Sequence, residues 1–67
     1  MVLKMDKLAE RVKELRRRKG WSQEDLARFV GISLSTVQRW EKKGGKPSRM
    51  PRELLRNLFA DSGIETD

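Results

Sequence analysis

The stretch that decides the fold covers residues 22–43 and reads SQEDLARFVGISLSTVQRWEKK. It holds two helix starts and two helix stops around a three-residue turn. Ser22 is placed to cap a helix over 23–30. Asp25, three residues on, completes a capping box in which Asp stands for the more usual Glu. Leu26, Ala27 and Val30 recur at helical spacing and face inward, and Gly31 ends the run. Ser33 then caps a second helix over 34–43, whose buried side is Val37 and Trp40, with Ile32 anchoring the turn before it. Gly44-Gly45 break the chain, and Lys46-Pro47-Ser48 form a loop. Only Gly31, Ile32 and Ser33 separate the two helices. So short a connection forces a steep crossing rather than a long antiparallel hairpin, which is the helix-turn-helix arrangement.

Two more helices flank this pair. One runs from about residue 5 to 19, with Leu8, Val12 and Leu15 as its apolar stripe and Gly20 as its stop. The other starts between Arg49 and Pro51, because proline is tolerated in a first turn, and carries Leu54, Leu55 and Leu58 as its core face. Ser62-Gly63-Ile64 has the pattern of a helix stop. No segment shows the period-two alternation of a strand. The expectation is therefore all-α: a single domain over 1–67, with the helix-turn-helix core at 22–43 and a short tail at 61–67.

Composition narrows the chemistry. The chain has 67 residues, no His and no Cys, and a net charge of +6. It cannot build a disulfide, a zinc finger, a thiol nucleophile or a Ser-His-Asp site. No metal, cofactor or enzymatic activity is expected, since the carboxylates are scattered rather than paired in a recognisable motif. No apolar run approaches the roughly 18 residues of a membrane span, and no signal-peptide pattern leads the sequence, so the expected location is cytoplasmic and nucleoid-associated. Positive charge is uneven. Residues 1–19 carry eight basic and three acidic side chains, residues 20–45 four and three, and residues 46–67 four and four. Arg16-Arg17-Arg18-Lys19 is one dense block, and Lys42, Lys43, Lys46, Arg49 and Arg52 form a second. Cations also suit helix C-termini, so the plain reading is solvated helix ends. The sharper reading is that both blocks serve a polyanionic partner.

The runs Ser22-Gln23-Glu24-Asp25-Leu26-Ala27, Val30-Gly31-Ile32-Ser33 and Thr36-Val37-Gln38-Arg39-Trp40-Glu41 resemble the Xre/Cro-type helix-turn-helix family. The continuation through Pro47-Ser48 and Leu54-Leu55-Arg56 is similar to its antitoxin-like subgroup. The resemblance covers about 8–58. It implies a compact four-helix domain of the lambda-repressor-like type and a sequence-specific, DNA-binding transcriptional regulator, read as a repressor. Relatives carry a fifth helix that contributes to dimerisation. The sequence given ends at Asp67, so most of that helix is expected to be lacking, and a homodimer stays open.

The resemblance also assigns roles. On helix 34–43, with Val37 and Trp40 inward, Leu34, Ser35, Gln38 and Arg39 are the base-reading candidates. Arg39 offers a fork to guanine, Gln38 suits adenine and Leu34 suits a thymine methyl. Ser22, Gln23, Ser33, Thr36, Lys42, Lys43, Lys46 and Ser48 are candidates for the DNA backbone, with Ser22 and Ser33 first of all helix caps. Relatives also use the residue at Gln23 to support a recognition-helix side chain. Arg16 and Glu41 are expected to form a structural ion pair. Trp21 and Trp40 fall at buried positions rather than base-stacking ones. The loop glycine, Gly44, comes one place later than in relatives, which implies shifted backbone contacts. Phe29 falls where relatives carry a polar residue. With Phe59 and Ile64 it would cover a subunit or partner contact, against the plainer reading of an aromatic shielding the fourth helix. That surface, together with Leu34, motivates the competing function: an antitoxin or accessory module whose main partner is a toxin-like protein.

Overall fold

Four helices follow one another in the computed structural model, which describes residues 7–64: α1 (Leu8–Lys19), α2 (Gln23–Val30), α3 (Leu34–Lys43) and α4 (Arg49–Asp61). Among the described residues there is no strand. The expected first residues of α1, at 5 and 6, and the end of the tail, at 65–67, lie outside the described residues.

Local chemistry sets the boundaries. Gly20 adopts φ 70°, ψ 32° and closes α1, and the Trp21 N–H donates to the Arg16 carbonyl at 2.9 Å. Ser22 Oγ accepts from the Asp25 N–H while Asp25 Oδ2 accepts from the Ser22 N–H, both at 3.0 Å, so the capping box is complete. At the other end of α2, Gly31 sits at φ 84°. Its N–H and that of Ile32 both donate to the Ala27 carbonyl, at 2.8 and 3.0 Å. A residue with a Cβ is disfavoured at that φ, which is why glycine makes this turn. Ser33 Oγ then accepts from the Thr36 N–H at 3.2 Å and starts α3.

Helix α3 packs against α1 and α2, and α4 also packs against α1 and α2. The core is Leu8, Val12 and Leu15 from α1; Leu26, Ala27 and Val30 from α2; Val37 and Trp40 from α3; and Leu55, Leu58 and Phe59 from α4. Trp21, Ile32 and Ile64 pack around it, partly buried. Trp21 is thus half-buried, not the fully covered core residue the pattern suggests.

Two expectations for α4 are corrected. Leu54 is not on the core face; it is 39% exposed, and Phe59, expected on an outer partner surface, is fully buried. The cause is helical phase. Leu55, Leu58 and Phe59 stand at i, i+3 and i+4 and define one stripe, and Leu54 lies about 100° of helix away from Leu55. The stripe that includes the larger Phe ring wins. Replacing Leu55 by Ala is expected to cost about 3 kcal/mol in urea unfolding, whereas Leu54→Ala should cost under about 1 kcal/mol. Equal losses at the two positions would refute this phase assignment.

Candidate nucleic-acid interface

Helix α3 has two chemically distinct sides. Val37, Trp40 and Glu41 are buried, at i, i+3 and i+4. Leu34, Ser35, Gln38, Arg39, Lys42 and Lys43 are all exposed. Five of these, Ser35, Gln38, Arg39, Lys42 and Lys43, line one open depression along the outer face. Residues nominated separately for base edges and for the backbone thus share a single surface. Leu34, 36% exposed, stands at the N-terminal end of the helix.

The inward side carries a carboxylate. Arg16 Nε donates to Glu41 Oε2 at 2.6 Å, and Arg16 Nη2 donates to Glu41 Oε1 at 2.9 Å. Gln23 Nε2 donates to the same Oε1 at 3.0 Å. Arg16 Nη1 also donates to the Trp21 carbonyl at 3.1 Å. One carboxylate on α3 is therefore held by the end of α1 and the start of α2 together. Burial pushes the Glu41 carboxyl up, but the hydrogen bonds from Arg16 and Gln23, with the charges of Arg16 and Lys13, outweigh it and hold the group below the ordinary glutamate range. The hydrogen bonds to Glu41, with its charge, raise the Arg16 guanidinium against the opposing effect of burial.

Around α3 the polar groups are partly committed. Ser33 Oγ lies 3.2 Å from Ser35 Oγ and 2.9 Å from Thr36 Oγ1, so the hydroxyls of the turn bond to one another as well as capping the helix. Gln23 uses its side-chain amide on Glu41 while sitting first in α2, behind Ser22. Ser48 begins α4 with extended backbone, and its hydroxyl makes no capping hydrogen bond. No acidic residue occupies the first turn of α4, and Pro51 supplies no N–H there. Lys46, Ser48, Arg49 and Arg52 are exposed around that helix start.

The two basic blocks behave differently. In the first, Glu14 pairs with Arg17 and, at 2.7 Å, with Arg18, while Arg16 is taken by Glu41. Lys19 Nζ lies 5.7 Å from the centre of the Trp21 ring. Arg18 Nη1 also reaches the Ser62 carbonyl at 2.5 Å and ties the end of α4 to α1. Three of the four cations in that block thus have carboxylate partners inside the chain. In the second block the only ion pair among the described residues is Arg49–Glu53, at 3.9 Å between well-exposed side chains. The Arg18–Ser62 link and the stacking of Phe29 on Trp21, with ring centres 5.0 Å apart, have no signal in sequence spacing. Among the described residues, no group of acidic side chains is placed to hold a metal ion, and no helix is long and apolar enough to cross a membrane.

Comparison with known proteins places this geometry. Residues 12–49, from mid-α1 to the first residue of α4, match the family described as helix-turn-helix. The chain is 32% identical over 53 residues to the "Uncharacterized HTH-type transcriptional regulator YiaG" of Escherichia coli strain K12, and equally so to the proteins of that name from strains O6:H1 and O157:H7. Each match covers 79% of this chain and 55% of the relative, so the chain spans about half the length of the curated relatives it matches. No solved structure is a significant match.

The carboxylate network has a pH signature. A folded-state value below the unfolded one, about 4.3 for glutamate, means that the unfolded chain binds the proton more readily in acid. Stability from Glu41 is thus present at neutral pH and lost as pH falls through and below the ordinary carboxylate range. Urea unfolding from pH 7 downward should show a shallower acid loss for Glu41→Gln than for the parent chain. Arg16→Met, which removes the ion pair and leaves Gln23 donating to the carboxylate, should cost about 3 kcal/mol at pH 7. Parallel pH curves for Glu41→Gln and the parent would rule the network out as the source.

Proposed function

This chain belongs to the helix-turn-helix family of Xre/Cro type, and from that premise we propose that it is a sequence-specific, double-stranded-DNA-binding transcriptional regulator that reads the major groove with α3. The observation that carries the reading is the division of α3. Every side chain nominated for base contact is exposed, while its one acidic residue is turned inward and neutralised. A carboxylate on the outer face would repel phosphates; here that obstacle is removed and Arg39, Lys42 and Lys43 remain outside.

Arg39 presents a planar fork suited to guanine O6 and N7, Gln38 an amide suited to adenine, Ser35 a hydroxyl, and Leu34 an apolar contact for a thymine methyl. Lys42, Lys43 and Lys46 neutralise backbone phosphates. Ser48 adds an uncommitted hydroxyl beside amide groups of the first turn of α4, which suit a phosphate oxygen. Ser22 and Gln23 are the candidates for the opposite backbone at the start of α2, with Ser22 already capping the helix and Gln23 oriented by Glu41. Ser33 and Thr36 contribute through the turn they stabilise. Repression is the outcome we favour because it requires only that the operator be occupied, and it places the protein with DNA in the cytoplasm. The description of the relatives as HTH-type transcriptional regulators supports regulation in general terms. A second reading, an antitoxin-like module whose main partner is a protein, draws on the exposure of Phe29 and Leu34, and requires that partner to cover α3.

Selection from random duplexes with the purified chain should yield a preferred sequence. Against that sequence, Arg39→Ala is expected to reduce discrimination from random DNA by about 1–3 kcal/mol. Lys46→Ala should weaken both duplexes alike and reduce the slope of log K against log salt by about 1. Unchanged discrimination in Arg39→Ala would remove the base-reading role, and failure to enrich any sequence would favour the protein-partner reading.

A further inference from the structure

The apolar stripe of α1, formed by Leu8, Val12 and Leu15, leaves the helix two flanks, and they lead to different neighbours. At about 100° of turn per residue, Arg16 and Lys13 fall on one side of that stripe, and Glu14 and Arg18 fall on the other. The contacts of the two arginines show where each flank leads. Arg16 reaches Glu41 on α3 and the Trp21 carbonyl just before α2, whereas Arg18 reaches the Ser62 carbonyl at the end of α4. Lys13 stands about one turn before Arg16, on the flank that faces α3 and the start of α2. Electrostatics agree with that position. Burial raises the Glu41 carboxyl, the hydrogen bonds from Arg16 and Gln23 lower it, and the charge of Lys13 adds to the lowering, which places Lys13 near the junction.

The junction does not require this cation. Glu41 already accepts three hydrogen bonds, two from Arg16 and one from Gln23, and the Arg16 guanidinium matches its single negative charge. Lys13 is exposed and forms no ion pair among the described residues. Its ammonium is a compact charge on a flexible four-carbon stem, so it can swing outward without disturbing the hydrogen bonds beneath it. Arg16 and Lys13 against Glu41 thus leave one positive charge over, on the side of α1 next to Gln23. Arg17 and Arg18 against Glu14 leave one over as well, but Arg18 is tied to the end of α4.

We propose that Lys13 is a phosphate contact supplied by α1, on the same DNA backbone as the start of α2. This rests on the DNA reading above and brings into the interface a helix and a residue that the reading leaves out. Sequence alone points to the 16–19 block as the basic patch of α1; in the folded chain the cation placed for the polyanion stands outside that block, one turn earlier. A lysine ammonium reads no base pattern at a phosphate, so its contribution is the same on every duplex and appears in the salt dependence of binding rather than in discrimination.

Titration of the full 67-residue chain into two labelled duplexes, one of the selected sequence and one of random sequence, over a range of salt tests this. Lys13→Gln should reduce the slope of log K against log salt by about 0.9 on both duplexes, so that its loss of affinity is about eightfold greater at about 0.1 M salt than at about 1 M. Lys13→Arg should restore the parent slope. Arg28→Gln, an exposed cation removed from α2 beside Phe29, should leave the slope unchanged. Urea unfolding separates a structural role: a lysine that only supports Glu41 would lower stability and leave the slope alone, whereas Lys13→Gln is expected to unfold close to the parent midpoint. A parent slope retained in Lys13→Gln, or an equal loss of slope in Arg28→Gln, overturns the proposal while the DNA reading stands. A parent chain that binds neither duplex overturns the DNA reading, and the proposal with it.

Discussion

One buried carboxylate sets the orientation of the helix on which the proposed function depends. Glu41 is the only buried charged residue among those described, and it accepts hydrogen bonds from α1 through Arg16 and from α2 through Gln23. Arg16 simultaneously holds the Trp21 carbonyl in the connection between those helices. Three helices and one loop thus share a single polar junction. An apolar residue of similar volume at position 41 could be as stable or more so, because desolvating an ion pair costs much of what the pair returns. Apolar packing is non-directional, however, and tolerates small rotations of a helix about its axis. Three directed hydrogen bonds do not. The junction is best understood as fixing the roll of α3, and with it which side chains face outward.

That roll also sorts the electrostatics. The raw count gives a +6 chain with its densest cations at 16–19. In the folded chain that block is half matched in charge: Arg16 by Glu41, and Arg17 and Arg18 by the one carboxylate of Glu14. Surface pairs such as those of Glu14 contribute little to stability, but they lower the net field of the α1 end. Lys42 and Lys43 line the outer face of α3 with Arg39, and Lys46, Arg49 and Arg52 are exposed around the start of α4, with Arg49–Glu53 as the one long, exposed pair among the described residues. A charge map drawn from sequence alone therefore overstates the free positive charge of the 16–19 block. Burying the acid of α3 while leaving its bases exposed gives that helix a positive outer surface.

Much of the architecture was legible because its signals are local. Ser22, Asp25, Gly31 and Ser33 mark the boundaries of α2 and α3 through caps and a left-handed turn, and each acts within three or four residues of itself. Helix α4 shows where such reasoning stops. Leu54-Leu55 and Leu58-Phe59 supply two overlapping stripes, and one turn of helix cannot say which is buried. The choice is made by the neighbours α1 and α2, which sequence spacing does not reveal. The hydrogen bond from Arg18 to the Ser62 carbonyl spans 44 residues and has the same origin. At the candidate interface, the exposure of Ser35, Gln38 and Arg39 follows from helical period once Val37 and Trp40 are assigned inward. Their gathering with Lys42 and Lys43 into one depression is a property of the folded surface.

Glu41 and Phe29 depart from the rule of apolar inside and polar outside in opposite senses; Met50, Leu54 and Leu34 are exposed apolar residues as well. Glu41 is a charge turned in, and Phe29 is an aromatic ring turned out. Local violations of this kind are expected where a fold serves something other than its own stability. For Glu41 the compensation lies within the chain, in the donors from Arg16 and Gln23. For Phe29 it does not: stacking on Trp21 still leaves more than half of the side chain in water. A domain this small has a thin core and little stability to spare, so an aromatic residue withheld from that core forgoes burial the chain could use. Within the chain, that burial is not recovered.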